Sequence, residues 1–290
     1  MTGYEFKDLE SKDLSFSYAH RLILDRISIE IKAGEVVVLL GANGAGKTTL
    51  LQTLYRQLRP AFGIVAVGKR DIAMFSRRAL ARSIAVMPQH ENRQSELTVY
   101  DVVSLGRTPI CGWWMPLSKH DREVIDDSLE ATGLSKYRGH RVTQLSGGEW
   151  RRMILARAIA QDAPILLLDE PTAGLDLKYQ FDVLDRVRRM ARERNLVVVV
   201  TLHDLNHAAM FGDRLALLAN SSLIAIGTAR EVLTPSLIRQ AFGVDVTVID
   251  HPVHGTPFVV PLYTVADAAS IRTDASSVGH DGCQPIRPIA

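Results

Sequence analysis

The stretch Val36-Val-Val-Leu-Leu-Gly-Ala-Asn-Gly-Ala-Gly-Lys-Thr-Thr49 decides the fold. Its five apolar residues, Val36 to Leu40, do not alternate with polar ones, so they read as a strand buried on both faces of a parallel sheet. Gly41 to Thr49 fits G-x-x-x-x-G-K-[ST] between that strand and a helical segment read over Thr49 to Gln57, which is the context the motif needs. Gly41, Gly44 and Gly46 let the loop, with Asn43 and Ala45 between them, close its backbone N–H groups on phosphate oxygens. The helix start at Thr49 adds positive potential, and Lys47 adds a point charge for the β- and γ-phosphates. Thr48 is the expected hydroxyl ligand of Mg²⁺. A nucleotide triphosphate and Mg²⁺ are the cofactors this segment predicts.

Similar apolar runs recur at Ile84 to Met87, Ile165 to Leu168 and Leu196 to Thr201, separated by helical pattern. That is the α/β signature of a phosphate-loop NTPase, with ligands expected at the carboxyl ends of the strands. Upstream, Phe6 to Tyr18 and Arg26 to Ile31 alternate loosely and predict antiparallel strands. Leu97 to Gln144 turns helical and irregular, which places an inserted helical subdomain at about 90–160. From Arg214 a hairpin, a small helix (Pro235 to Phe242) and a strand-like stretch near Val244 to Val260 follow. Thr264 to Ala290 is small, polar and aperiodic, predicting a disordered tail after one domain spanning 1–263.

At 290 residues and 47% hydrophobic content the chain can bury a full core. Thirty-four Lys plus Arg against 32 Asp plus Glu leave a net charge of +2, so no global basic field argues for nucleic acid. The Arg-rich stretch Asp185 to Arg194 reads as an amphipathic helix. Asp182–Arg186 and Asp185–Arg189 are i,i+4 pairs, and Phe181, Leu184 and Val187 make an apolar stripe. Cys111 and Cys283 stand far apart without metal-ligand spacing, which suits a reducing, cytosolic compartment. The opening residues are charged where a signal peptide would be apolar, and no apolar run approaches the roughly 18 residues of a spanning helix. Any membrane role is therefore expected through a partner.

Two further stretches carry chemistry. Ile165-Leu-Leu-Leu-Asp-Glu170 puts two carboxylates at the end of a buried strand, where they are costly unless they face the phosphate loop. Asp169 is expected to hold Mg²⁺ through water, and Glu170 to polarise the attacking water. Leu145-Ser-Gly-Gly-Glu149 lies about a hundred residues beyond the phosphate loop, ahead of a helical run. Ser146 and Glu149 have the spacing of a capping box. Gly147 and Gly148 bare the backbone at the same helix start, which is an anion site, and both roles are open together. His251 and His254 lack a carboxylate or cysteine neighbour, so they make a poor metal site.

With these residues in view, the chain resembles the nucleotide-binding subunit of an ABC transporter over residues 6–262. The resemblance implies that two copies sandwich each ATP, with the phosphate loop of one copy facing Ser146, Gly147 and Gly148 of the other. It makes Gln89, in VMPQ, the glutamine that touches Mg²⁺ and links the site to the helical subdomain. It makes Asp176, in AGLD, the aspartate that reaches across the dimer. His203, in TLHD, becomes the histidine contacting the γ-phosphate, and its place after the Val-rich strand agrees. Tyr18 falls where the family stacks an aromatic on adenine.

The flanks Leu97 to Ile110, His203 to Leu218 and Ile224 to Ile249 are similar to the importer group that takes up ferric siderophores, haem and cobalamin. Asn220-Ser-Ser222 departs from that group's charged, glycine-containing turn. The implied partners are a second copy, permease subunits and a periplasmic or extracellular binding protein, with no nucleic acid. The implied location is peripheral, on the cytoplasmic face of the cell membrane. A two-subunit exporter and a scaffold ATPase of iron–sulfur assembly stay open as alternatives. Trp113 and Trp114 either line a groove for the permease or pack internally.

Overall fold

The computed structural model describes residues 8–89, 91, 96–112 and 115–262. Strands β1 (Leu9–Tyr18) and β2 (Arg21–Ile31) form the antiparallel hairpin expected, although β2 starts five residues earlier than the pattern indicates. Register shifts along the pair and left-handed backbone at Asp13 and Arg26 interrupt the alternation, which is why its sequence looks loose. β3 (Val36–Leu40) belongs instead to the central sheet. β4 (Phe62–Val67) and β5 (Arg70–Asp71) complete an outer sheet of order β2-β1-β4-β5.

The central sheet adds β6 (Ile84–Met87), β7 (Ile165–Asp169), β8 (Val197–Thr201), β9 (Arg214–Ala219) and β10 (Ser222–Gly227), in the order β10-β9-β3-β8-β7-β6. All its pairings are parallel except β9–β10. Val36, Val38 and Leu40 enter one core, while Val37 and Leu39 enter the other. Leu166 and Leu168 divide from Ile165 and Leu167 in the same way, as do Val198 and Val200 from Val197 and Val199. A continuous apolar run is what a strand between two cores requires.

The β9–β10 hairpin expected from Arg214 is thus built into this sheet, β9 lying parallel beside β3. At its turn Asn220 and Ser221 have φ of +49° and +65°. Two left-handed residues suit a two-residue hairpin, and Asn tolerates that region best after Gly. Ser221 also reaches the outer sheet: its hydroxyl donates to the Leu22 carbonyl at 3.0 Å and its carbonyl accepts from Asp25 N–H at 2.8 Å. The departure at Asn220-Ser-Ser222 therefore fastens two sheets together.

Helix α1 runs over Lys47–Leu54, so both its ends fall earlier than the expected Thr49 to Gln57. Gly46 turns the chain directly into the helix, and Arg56, left-handed at φ +62°, ends it. α2 (Arg77–Ser83), α3 (Val99–Ser104), α4 (Thr108–Cys111), α5 (Lys119–Ala131) and α6 (Gly147–Ala160) follow, with α3, α5 and α6 packed on one another. A buried ion pair pins this block: Arg107 Nε lies 2.9 Å from Asp121 Oδ1, and its Nη1 donates to the Ala160 carbonyl. Burial pushes the Asp121 carboxyl up, but hydrogen bonds from Ser118 and Cys111 and the Arg107 guanidinium outweigh it and hold it well below the usual carboxylate range.

α7 (Leu177–Glu193) buries Leu184 and Val187 and sets Phe181 edge-on to His207 and Phe211 of α8 (Leu205–Phe211). The Asp185–Arg189 pair forms at 2.6 Å, whereas among the described residues Asp182 and Arg186 make no ion pair. After α9 (Ala229–Val232) and α10 (Pro235–Phe242), the stretch near Val244 to Val260 proves to be two strands, β11 (Val246–Asp250) and β12 (Pro257–Pro261), paired across a turn with Gly255 at φ +63°. Trp113, Trp114 and the Thr264 to Ala290 tail lie outside the described residues.

Candidate functional site

The phosphate loop leaves the carboxyl end of β3 and enters α1, so its N–H groups and the helix start converge. A Cβ at Gly41 would stand 2.4 Å from the Leu218 carbonyl, which leaves glycine as the residue that fits. Gly46, at φ +98°, caps α1, and a Cβ there would stand 3.0 Å from the Ile23 carbonyl and the Leu24 side chain of β2, so the outer sheet lies close against the loop. Asn43 and Gly44 are exposed, and Ala45, Thr48 and Thr49 are half-buried.

Lys47 is only 6% exposed, and its ammonium donates to the Gly41 and Ala42 carbonyls at 2.6 and 3.1 Å. Burial pulls its pKa down, while the nearby Glu170 and Asp169 charges pull it up. Among the described residues it pairs with no carboxylate. A buried cation within a glycine cradle fits a phosphate group.

Asp169 ends β7 and Glu170 follows it, beside Thr201 at the end of β8. The fully buried Thr201 hydroxyl donates to Asp169 Oδ1 at 2.7 Å and accepts from the Glu170 N–H at 2.8 Å. Glu170 sits in left-handed backbone, φ +51°, unusual for a residue with a side chain. Its Oε1 lies 2.6 Å from His203 Nε2, so the structure brings these two predicted residues together.

One residue the motifs do not mark closes this arrangement. Arg151, on α6, donates from Nε and Nη2 to the Glu170 carbonyl, from Nη2 to the Asp169 carbonyl at 2.8 Å, and from Nη1 to the Gln89 carbonyl at 2.5 Å. Half-buried Gln89, just beyond β6, is thereby tied to the end of β7. In the sequence Arg151 is one of two adjacent arginines ahead of the apolar run Met153 to Leu155. The only available signal was its spacing after Ser146.

Ser146 is the exposed N-cap of α6, and the capping box is formed: Ser146 N–H donates to Glu149 Oε2 at 2.8 Å and Glu149 N–H to Ser146 Oγ at 3.3 Å. Hydrogen bonds from the Tyr137 hydroxyl and from Ser146 lower the Glu149 pKa to about 2. Gly147 is exposed, and a Cβ at half-buried Gly148 would lie 3.2 Å from Leu175, next to Asp176. Asp176 is the exposed N-cap of α7, accepting from the Tyr179 N–H. Arg152 stacks over the Tyr179 ring at 4.3 Å, joining α6 to α7. Tyr18 is 49% exposed and stands edge-on to Phe16.

A glycine loop with a buried lysine, next to an adjacent aspartate and glutamate, defines a phosphate-loop NTPase. The comparisons with known proteins carry this further. The family model described as ABC transporter matches residues 24–173. The achromobactin transport ATP-binding protein CbrD of Dickeya dadantii is 36% identical over 254 residues, covering 88% of this chain and 94% of that one. The cobalamin import ATP-binding protein BtuD of Halobacterium salinarum is 38% identical over 278 residues, covering 96% and 69%. Among solved structures, a metal-chelate-type ABC transporter in an inward-facing conformation superposes with a TM-score of 0.77 at 28% identity, covering 89% of this chain and 98% of that one. A dimeric bacterial ABC transporter cassette does so with a TM-score of 0.68 at 27% identity, covering 77% and 99%.

The chain belongs to the ABC transporter family. It is an ATP-binding cassette of that family and an ATPase; a cassette of the same kind forms a dimer, and such ATP-binding proteins serve transport. No helix among the described residues is long and apolar enough to cross a membrane.

Proposed function

We propose that this cassette powers uptake of a ferric siderophore, haem or cobalamin through a separate permease. The observation that carries the reading is near-full-length similarity to cassettes named for achromobactin transport and cobalamin import. We place the chain on the cytoplasmic face of the membrane, held there by the permease, with a periplasmic or extracellular binding protein delivering cargo. A groove of about 830 Å³ lined in part by Ile64, Ile72 and Leu80 supports the permease contact. Phe62 and Met74, 65% and 71% exposed, are the sequence neighbours of the lining residues Gly63 and Ala73, and exposed apolar side chains at a groove's edge suit a partner surface.

In this reading Lys47 and the loop N–H groups bind the β- and γ-phosphates, and Tyr18 stacks on adenine. Thr48, Gln89 and Asp169 are the residues that would hold Mg²⁺. When bound, that ion neutralises charge between the phosphates. Glu170 takes the proton of the attacking water, and His203, already at its carboxylate, orients it and meets the γ-phosphate. Ser146, Gly147 and Gly148 of the second copy, with Asp176, close the site from across the dimer.

Growth of a gene deletion on each nutrient as sole source, complemented with the chain or with Lys47→Ala, tests the proposal. Restoration of uptake by the chain alone supports it. Undisturbed uptake of ferric siderophore, haem and cobalamin contradicts it.

A further inference from the structure

Glu170 combines two features that do not persist unaided. Its backbone is left-handed, a strained conformation for a residue with a Cβ, and its carboxylate is hydrogen-bonded to His203 just past the end of β7. The peptide is gripped on both sides. Thr201 Oγ1 accepts its N–H, and Arg151 takes its carbonyl with two guanidinium nitrogens. The same guanidinium holds the Asp169 and Gln89 carbonyls, bridging the carboxyl ends of β7 and β6. Among the described residues its acceptors are all backbone oxygens, so it fixes the chain without sequestering the carboxylates.

Arg151 comes from α6, the helix capped by Ser146. Five residues at about 1.5 Å each put them roughly 7.5 Å apart along the helix axis. In the proposed dimer, Ser146 of a chain serves its partner's nucleotide while Glu170 serves its own. Arg151 thus joins, through a few bonds, the groups that one chain contributes to two different ATP sites.

We propose that Arg151 is a positioning residue for hydrolysis: its bonds to the Glu170, Asp169 and Gln89 carbonyls hold Glu170 in the conformation that aims its carboxylate, and tie that conformation to the helix bearing Ser146. The inference rests on the assignment of Glu170 made above. A planar fork with several fixed donors is needed to reach three carbonyls, and lysine offers only a point charge.

The test compares wild type, Arg151→Met, Arg151→Lys and Glu170→Gln as full-length chains, measuring steady-state ATP hydrolysis and thermal unfolding. ATP-dependent dimerisation is followed in the Glu170→Gln background with and without Arg151→Met. Arg151→Met is expected to lose at least tenfold in kcat with KM for MgATP within twofold, and Arg151→Lys to fall between it and wild type. Glu170→Gln/Arg151→Met should still dimerise with ATP. Full kcat in Arg151→Met beside an inactive Glu170→Gln overturns the role of Arg151 and leaves Glu170 assigned. A loss shared equally by KM and dimerisation also overturns it, as the mark of a merely structural residue. Normal turnover by Glu170→Gln overturns the assignment of Glu170, and this proposal with it.

Discussion

Replacing Thr201 by valine removes one oxygen and almost no volume, yet that oxygen serves both carboxylate-bearing residues of the site. It donates to Asp169 Oδ1 at 2.7 Å and accepts from the Glu170 N–H at 2.8 Å, at a position with no solvent exposure. A hydrogen bond to a charged group is worth about 1.5–3 kcal/mol, and a buried N–H left without an acceptor costs about 1–3 kcal/mol. Thr201→Val should therefore destabilise the chain by about 3–5 kcal/mol. At roughly 2–4 °C per kcal/mol for a domain of this size class, the unfolding midpoint should drop by roughly 6–20 °C. Thr201→Ser keeps the oxygen and loses one methyl, worth about 1 kcal/mol. Urea denaturation of the nucleotide-free protein, at constant m-value, measures all three chains. Thr201→Val within 1 kcal/mol of wild type, or Thr201→Ser as damaging as Thr201→Val, would refute the reasoning.

Gly41→Ala should abolish retention on ATP resin, because the added Cβ meets the Leu218 carbonyl at 2.4 Å; retention like wild type would contradict the fit of the loop. Glu170→Gln should bind MgATP, release phosphate very slowly and accumulate as a dimer on gel filtration. Asp121→Asn strands the Arg107 guanidinium in the core and should cost about 3–5 kcal/mol near neutral pH. The Asp121 carboxyl is depressed in the folded state, so its contribution is present above the ordinary value of 3.8 and is lost as pH falls below it. Denaturation curves of wild type and Asp121→Asn should accordingly converge as pH drops from about 4.

The parallel strands were legible because burial between two cores leaves an unbroken apolar run, as at Val36–Leu40 and Val197–Thr201. The outer hairpin was less so, since the irregular register near Leu14 and Arg26 breaks the period-2 signal that would have extended β2 to Arg21. α1 ends three residues before the pattern indicates because Tyr55 to Gln57 carries no helix breaker in its residue types; the break is a left-handed Arg56 held by the Ile72 and Phe75 carbonyls. At the site, Lys47, Glu170 and His203 announce themselves through motif and strand end. Arg151 and Thr201 do not, because Arg151 acts on backbone carbonyls and Thr201 on the Glu170 N–H and the Asp169 carboxylate, all distant in sequence, and only tertiary structure brings those atoms within reach.

The central claim is that each ATP is hydrolysed between the phosphate loop of one copy and Ser146 of the other. Phosphate release by a mixture of Lys47→Ala and Ser146→Arg chains tests it most directly, each variant being assayed alone beside the mixture. In a mixed dimer one composite site carries both lesions and the other carries neither, so two inactive proteins should recover part of the wild-type activity on mixing. A mixture as inactive as its components, under conditions where mixed dimers are shown to form, would contradict the account.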